Sequence, residues 1–301
     1  MSTRQRSPVT AIILTLNEEA NIGYCLESVS DLPDEIFVVD SGSTDKTIEI
    51  CRKYTDRIVA HPFVDSASQW NWALNNLPIG HDWVLALDAD HRLSESFKTQ
   101  VRKVVLNQRT QVSGYFGRHQ YLFMGSPIRG FKEYSLRLFR RSRTHLDNSE
   151  LVDYRFVVDG RTAKLSGVTY EDNYNERSID FWVDKHQKFS SRVAAEEVLR
   201  RLGLIHWTMR PRLLGNPDER VLWLKERWYA SPLYVRSVLY FVYRYLLRLG
   251  FLDGRTGLFY HFMQGLWFRL LIDAKIAELK RRIGNGEMSA KDLADSFVHR
   301  F

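Results

Sequence analysis

Hydrophobic residues in the first ninety positions come in short runs separated by polar clusters, and the period of the runs alternates. Val9 to Leu14 is unbroken and largely β-branched, as expected of a strand buried on both faces of a parallel sheet. Asn17-Glu18-Glu19 follows, after which Ile22, Leu26 and Val29 recur at helical spacing. Ile36 to Val39 is a second strand-like run. It is closed by Asp40-Ser41-Gly42-Ser43-Thr44-Asp45, a cluster able to cap a helix through Ile48, Cys51 and Tyr54. Arg57 to Ala60, Ser68 to Asn75 and Trp83 to Leu87 add a strand, a helix and a strand that stops at Asp88-Ala89-Asp90. The alternation predicts right-handed crossovers and an α/β sheet whose ligands lie beyond the carboxyl ends of the strands, so that three acidic strand ends face one crevice.

After Ser113 the pattern changes. Gly114 to Tyr121 and Ser135 to Phe139 read as strands of a mixed sheet, and Arg155 to Val158 meets a turn at Asp159-Gly160. From Ser178 onward the pattern is helical, over Ile179 to Leu199 and Arg220 to Ala230. Pro232 to Leu249 and Thr256 to Lys280 then form a hairpin about a turn at Gly250 to Gly254, with a loosely held tail beyond Gly284. Neither arm of the hairpin carries the roughly 18 uninterrupted apolar residues of a bilayer span.

Charge changes this picture at one end. Ser231 to Arg282 holds nine Lys/Arg against three Asp/Glu, which leaves little of the net +7 for the remainder of the 301 residues. Eleven aromatic residues share that stretch, a mixture that suits anionic lipid headgroups or nucleic acid. Arg236, Arg244 and Arg248 recur at multiples of four along one side of a helix and are expected to form a partner-binding face, with Leu239, Val242 and Leu246 elsewhere on its circumference. Leu258, Phe259, Phe262, Met263, Leu266 and Leu270 make an apolar stripe on the next helix. The two cysteines, Cys25 and Cys51, are too few for a disulfide framework and match no metal spacing, so both read as buried filler in a reducing compartment.

The candidate chemistry is acidic. Asp88 and Asp90, one residue apart at the end of a buried strand, can share a divalent cation and the diphosphate it neutralises, and hard oxygen ligands favour Mg²⁺ or Mn²⁺. Asp40 either caps its loop or binds ligand, and Thr15, Asn17 and Glu18 lie where the first strand reaches the same crevice. No G-x-x-x-x-G-K-[ST] or G-x-G-x-x-G occurs, which counts against kinases and dehydrogenases.

These residues also carry a resemblance. Ile12-Ile13-Leu14-Thr15-Leu16-Asn17-Glu18-Glu19-Ala20-Asn21-Ile22, then Val38-Val39-Asp40-Ser41-Gly42-Ser43-Thr44-Asp45, then Leu87-Asp88-Ala89-Asp90 resemble family 2 glycosyltransferases of the GT-A fold, continuing through Leu136-Arg137-Leu138-Phe139-Arg140-Arg141. The resemblance is to bacterial enzymes that build lipopolysaccharide core or exopolysaccharide. It implies inversion at the anomeric carbon, uracil and ribose contacts by Thr15, Glu18, Asp40 and Asp88, metal held chiefly by Asp90, and a donor pocket lined by Gln69 and Asn71. The likeness covers roughly the first 140 residues, and with the changes of pattern it gives a GT-A catalytic domain over 1–177, with a donor half to about 112 and an acceptor half over 113–177. A helical connector over 178–230 and a basic, aromatic, membrane-associating hairpin and tail over 231–301 complete the division. Many relatives have Glu where His91 follows the second aspartate, and a Val-His-Glu segment where this chain reads Leu151-Val152-Asp153-Tyr154.

The function expected on this basis is transfer of a hexose-like sugar from a nucleotide-diphosphate donor, UDP-sugar favoured, to a lipid-linked or lipopolysaccharide acceptor. The setting is cytoplasmic, with the chain peripheral to the cytoplasmic face of the inner membrane; the partner surface is anionic lipid, not nucleic acid. A carboxylate must take the acceptor proton. Asp153 is the first choice, with Glu150 and Asp172 as substitutes, while Glu171-Asp172 reads equally as a loop cap or part of the metal shell. Lys185, His186 and Arg192 are candidates to stabilise the leaving diphosphate, or else belong to a solvated helix face. Two other classes compete: a sugar nucleotidyltransferase, which needs a glycine-rich loop absent from Leu14 to Glu19, and a non-catalytic membrane-binding module with an inherited fold.

Overall fold

A computed structural model of the chain describes residues 6–298. The α/β alternation is present in the order expected: β1 (Ser7–Thr15), α1 (Ile22–Val29), β2 (Pro33–Asp40), α2 (Thr47–Cys51), β3 (Ile58–Ala60), α3 (Ser66–Asn76) and β4 (Trp83–Asp88). β1 pairs in parallel with both β2 and β4, and β2 pairs in parallel with β3. Ile12, Ile13, Val38, Val39, Leu85 and Leu87 on these strands are fully buried, which is why the runs are continuous and not alternating.

Next come β5 (His91–Leu93), α4 (Glu95–Val105), β6 (Val112–Phe123), β7 (Ser126–Arg140), β8 (Thr144–Asp147), β9 (Arg155–Val158) and β10 (Arg161–Glu171). The eight-stranded sheet runs β3-β2-β1-β4-β7-β6-β10-β5, and β8 pairs with β9 separately. It is mixed: β7 is antiparallel to β4, β10 parallel to β6, and β5 antiparallel to β10. The β6–β7 turn consists of Met124 and Gly125, both at positive φ, as a two-residue hairpin requires. α4, capped by the Ser94 hydroxyl, packs on β10. The approach is so close at Gly167 (φ 102°) that a Cβ there would lie 2.5 Å from the Phe97 nitrogen.

The remaining helices are α5 (Ile179–Arg201), α6 (Pro217–Ala230), α7 (Val235–Val242), α8 (Gly254–Tyr260), α9 (Phe268–Gly284) and α10 (Ala290–Val298). α6 starts with a full capping box between Asn216 and Glu219. Single π-helical segments, Tyr243–Leu247 and His261–Trp267, continue α7 and join α8 to α9. Ala194, Val198, Phe268, Ile272, Ile276 and Leu293 form a buried cluster. Leu293 belongs to α10, so the segment beyond Gly284, expected to be loosely held, is instead a helix with a buried anchor. Among the described residues no helix is long and apolar enough to cross a membrane.

Two compact units result. The first comprises residues 1–125, 132–146 and 155–175, and the second 126–131, 147–154 and 176–301.

In the second unit the expected arginine face is reversed. Arg236 is 2% exposed and Arg244 8%, whereas Leu239 is 62% and Leu246 50% exposed; only Arg248 of the three arginines faces solvent. The Arg236 guanidinium donates to both carboxylate oxygens of Glu197, at 2.9 Å each, and to Asp273 Oδ1 at 2.8 and 2.5 Å. Two buried carboxylates attract it inward more strongly than the periodic pattern alone suggests.

Candidate active site

The carboxyl ends of three strands come together at one end of the sheet. Register places Thr15 beside Asp40 and Leu14 beside Asp88, so Asp40 and Asp88 flank the end of β1. The loop after β1 and the loop after β2 are tied together. Asn17, held at φ 53°, accepts from the Thr44 backbone at 2.8 Å, while its own N–H donates to the Ser43 hydroxyl. The Glu18 N–H donates to Thr47 Oγ1, and its carboxylate accepts from the Asn21 amide at 2.5 Å. Asp40 folds its carboxylate onto its own loop, accepting from the Gly42 and Ser43 N–H groups and from the Ser43 hydroxyl. It also borders a cleft of about 400 Å³, together with Arg52, Asp56 and Ile58. Thr15 differs from its neighbours: its hydroxyl is buried with no hydrogen-bond partner. Such an atom costs free energy unless a ligand satisfies it.

Gln69 is buried in α3 and spans the Ser41 hydroxyl, the His61 carbonyl and the His61 ring. Asn71, two residues on, is exposed and bonds Asn75 along the same helix. The two residues therefore occupy different environments.

Asp88 and Asp90 lie among groups contributed by β5, β6, β7 and β10. The Asp90 carbonyl accepts from the Asp172 N–H at 3.2 Å, and its carboxylate accepts from the Asn173 amide at 3.2 Å. Asn173 also accepts from Asn21, so the end of β10 and the start of α1 are joined beside the acidic pair. Asp88 keeps 40% of its side-chain surface open and has Arg137 Nη1 3.6 Å away. Desolvation raises its pKa above the ordinary carboxylate value; Arg137 opposes this and the Glu171 charge adds to it.

His91, which stands where relatives are expected to have glutamate, is 2% exposed. Burial, with Arg137 and His119 adding like charge, holds its pKa well below the usual imidazole value, so the ring is neutral. The Asp88 N–H donates to Nδ1 at 2.9 Å, and the Arg137 guanidinium stands 3.2 Å from Nε2, which lies 3.9 Å from Asp90 Oδ1. His91 thus braces the backbone of one aspartate and faces the carboxylate of the other.

Two residues absent from the sequence-based site belong in this neighbourhood: Arg137 on β7 and His119 on β6. His119 Nε2 meets Glu171 Oε2 at 2.5 Å. Ligand atoms of His91, His119 and Glu171 all lie within 4.8 Å of one another. For His91 to offer Nε2 to a metal, however, the Arg137 guanidinium 3.2 Å away would have to be displaced. Asp88 and Asp90 present oxygen donors without that rearrangement, and oxygen donors fit Mg²⁺ or Mn²⁺.

The expected base residues are divided between the two units. Asp172 is in the first unit and ion-pairs with Arg92. Glu150 and Asp153 are in the second unit, where Lys225 ion-pairs with both, the Asp153 contact being 2.9 Å. Burial lowers the Lys225 pKa, but Asp153 and Glu150 outweigh it and push the ammonium above its usual range. Lys185 pairs with Glu176, His186 stacks on Trp182 at 3.6 Å, and Arg192 is exposed on the same helix. Glu171 remains 29% accessible at the side chain and stands beside the acidic pair.

The chain is similar to known proteins in four respects. Residues 10–154 match the model of Glycosyl transferase family 2. The lipopolysaccharide core biosynthesis glycosyltransferase LpsC of Rhizobium meliloti is 29% identical over 200 residues, covering 64% of this chain and 72% of that protein. An uncharacterised glycosyltransferase of Rickettsia typhi is 24% identical over 268 residues, 85% of each chain. Among solved structures, glucosyl-3-phosphoglycerate synthase from Mycobacterium tuberculosis, in complex with Mn²⁺ and UDP-glucose, is similar with a TM-score of 0.39 at 18% identity. That match covers 66% of this chain and 80% of the other.

Proposed function

Because the chain belongs to glycosyl transferase family 2 through residues 10–154, we propose that it transfers a sugar, a hexose from a UDP donor, to a hydroxyl of a lipid-linked or lipopolysaccharide acceptor, with inversion. The observation that carries this reading is the register of three parallel strands, which brings Thr15, Asp40 and Asp88 to one sheet edge with Asp90 two residues beyond. The family match favours sugar transfer over nucleotidyl transfer. LpsC, an enzyme of lipopolysaccharide core biosynthesis, supports an acceptor of the same class. The reaction is assigned to the cytoplasmic face of an anionic membrane.

In this reading Asp88 and Asp90 hold a divalent cation, Mg²⁺ or Mn²⁺, which when bound neutralises charge on the leaving diphosphate. Thr15, Asn17, Glu18 and Asp40 contact the nucleoside, and the Thr15 hydroxyl gains there the partner it lacks. Gln69 holds the loop at Ser41 in place, and Asn71 lines the donor side.

The acceptor oxygen attacks the anomeric carbon as the bond to the diphosphate oxygen breaks, and that electron pair leaves with the nucleotide. The acceptor proton passes to a carboxylate. We assign this role to Glu171, which is accessible, next to the acidic pair, and oriented by His119. Asp172, Glu150 and Asp153 each support a cationic side chain in this fold.

Isothermal titration with UDP tests the donor site. Binding is expected to require Mn²⁺ or Mg²⁺ and to weaken at least tenfold in Asp90→Ala; tight binding indifferent to metal would overturn the reading. For the base, Glu171→Gln should lower kcat on the order of 10²-fold or more with UDP affinity retained. A larger loss in Asp153→Asn would return the role to Asp153.

A further inference from the structure

We propose that the exposed face of α7, its π-helical continuation and α8 is a docking surface that enters the interfacial layer of an anionic bilayer. This deepens the membrane setting of the proposed reaction, and its test is independent of catalysis.

The burial pattern is inverted for a soluble helix. Val235, Val238, Leu239, Val242, Leu246 and Leu247 are 37–72% exposed and recur at spacings of three and four, so they form one continuous stripe. The turn that follows exposes Leu249, Phe251 and Leu252, and α8 with its continuation exposes Leu258, Phe259 and Phe262. Scattered apolar residues on a surface need no explanation, but a contiguous run through two adjoining helices and their turn marks an interaction site. Tyr234 and Tyr243, each more than 40% exposed, add the amphipathic rings that suit a headgroup layer. A groove of about 300 Å³ between Trp228, Val235, Leu239 and Tyr243 opens on the same helix.

Charge identifies the partner. From Ser231 to Asp273 the acidic residues are Asp253 and Asp273, and both are neutralised. Asp253 pairs with Arg129 at 3.0 Å, and Asp273 is buried against Arg236. Arg248, its guanidinium 6.0 Å from the centroid of the exposed Tyr243 ring, and Arg255, at the start of α8, are exposed. A protein partner would be expected to meet a mixture of charges. A face of aliphatic side chains fringed by arginine, with its carboxylates internally paired, instead complements an acyl layer beneath anionic headgroups.

The test is flotation of the full chain with vesicles, run beside UDP titration on the same preparations. The wild type should float with phosphatidylglycerol-containing vesicles and much less with pure phosphatidylcholine. The triple variant Leu239→Glu, Leu247→Glu, Phe259→Glu should reduce the bound fraction by at least about tenfold with UDP–Mn²⁺ affinity unchanged and with the helical circular-dichroism signal and Tm of the wild type, which show the variant to be folded. Arg248→Gln with Arg255→Gln should cost about fivefold per charge on anionic vesicles at low salt, and nothing on neutral ones. Absence of wild-type flotation, or flotation equal in the triple variant, would overturn the proposal. So would a stable dimer in lipid-free sedimentation velocity that the same triple substitution dissolves, since a second copy would then be the occupant.

Discussion

Thr15 shows how a single atom can separate stability from function. Its hydroxyl is buried at the carboxyl end of β1 without a partner, so the fold bears an unsatisfied buried polar group. Thr15→Val keeps the shape and removes that atom. The variant is expected to be as stable as the parent or about 1 kcal/mol more stable by chemical denaturation, while UDP affinity falls about tenfold. A variant that loses stability would mean that the hydroxyl has a protein partner in the free enzyme.

His261 is a second residue whose surroundings predict a measurable effect. It is 1% exposed and its Nε2 has no hydrogen-bond partner. Burial first, then the Arg244 charge, lowers its pKa to about 4, and Asp253 opposes this only in part. A histidine depressed in the folded state gives stability that is complete above its unfolded pKa, near 6.5, and is lost as pH falls toward 4. The wild type should therefore lose up to about 3 kcal/mol from this group across that interval. His261→Gln should flatten the acid limb of the stability profile; equal acid slopes in both proteins would show the ring to be unperturbed.

At the scale of elements, α7 is held by charge more than by its own apolar face. Arg236 links α7 to α5 through Glu197 and to α9 through Asp273, and the Ser237 hydroxyl and the Tyr234 N–H also donate to Asp273. Removing the arginine takes the cation from the buried Asp273 carboxylate and leaves Glu197 with Arg201 alone. Arg236→Ala should destabilise the protein by about 3–5 kcal/mol in denaturant titration, far more than Arg248→Ala, whose side chain is exposed. This is also where periodicity misled. A spacing of four states which residues share a face, but the direction of that face depends on Glu197 and Asp273, thirty-nine residues before and thirty-seven after Arg236. The donor strands were readable for the opposite reason. Val9 to Leu14, Ile36 to Val39 and Trp83 to Leu87 are buried on both sides, so composition alone marks them, and the polar residues that end each run are the site. β10 was not readable, because RTAKLSGVTYE mixes exposed and buried positions and bends at Gly167. With it went the neighbourhood of His119 and Glu171, which exists only once β10 is paired with β6.

At the scale of the whole molecule, the chain order of the two units bears on what can be cut. A boundary near residue 177, as the change in pattern suggests, retains every segment of the first unit. It also retains two segments of the second, 126–131 and 147–154, without their partners. The Arg129 N–H and guanidinium bond Asp253, Ser149 accepts from Arg200, the Leu151 N–H donates to Glu196, and Glu150 pairs with Lys225. Ile128, 1% exposed, and Glu150, 8% exposed, belong to these segments. In a fragment ending at residue 177 the Glu150 carboxylate would lose its ammonium and both segments their backbone partners, leaving unpaired polar groups on chain continuous with β7 and β9. The fragment is therefore expected to show a lower Tm than the full chain and to associate in sedimentation velocity, even though Asp88 and Asp90 and their supporting strands are all present. A monomeric fragment with the full-length Tm and intact UDP binding would show that the second unit contributes nothing to holding those segments.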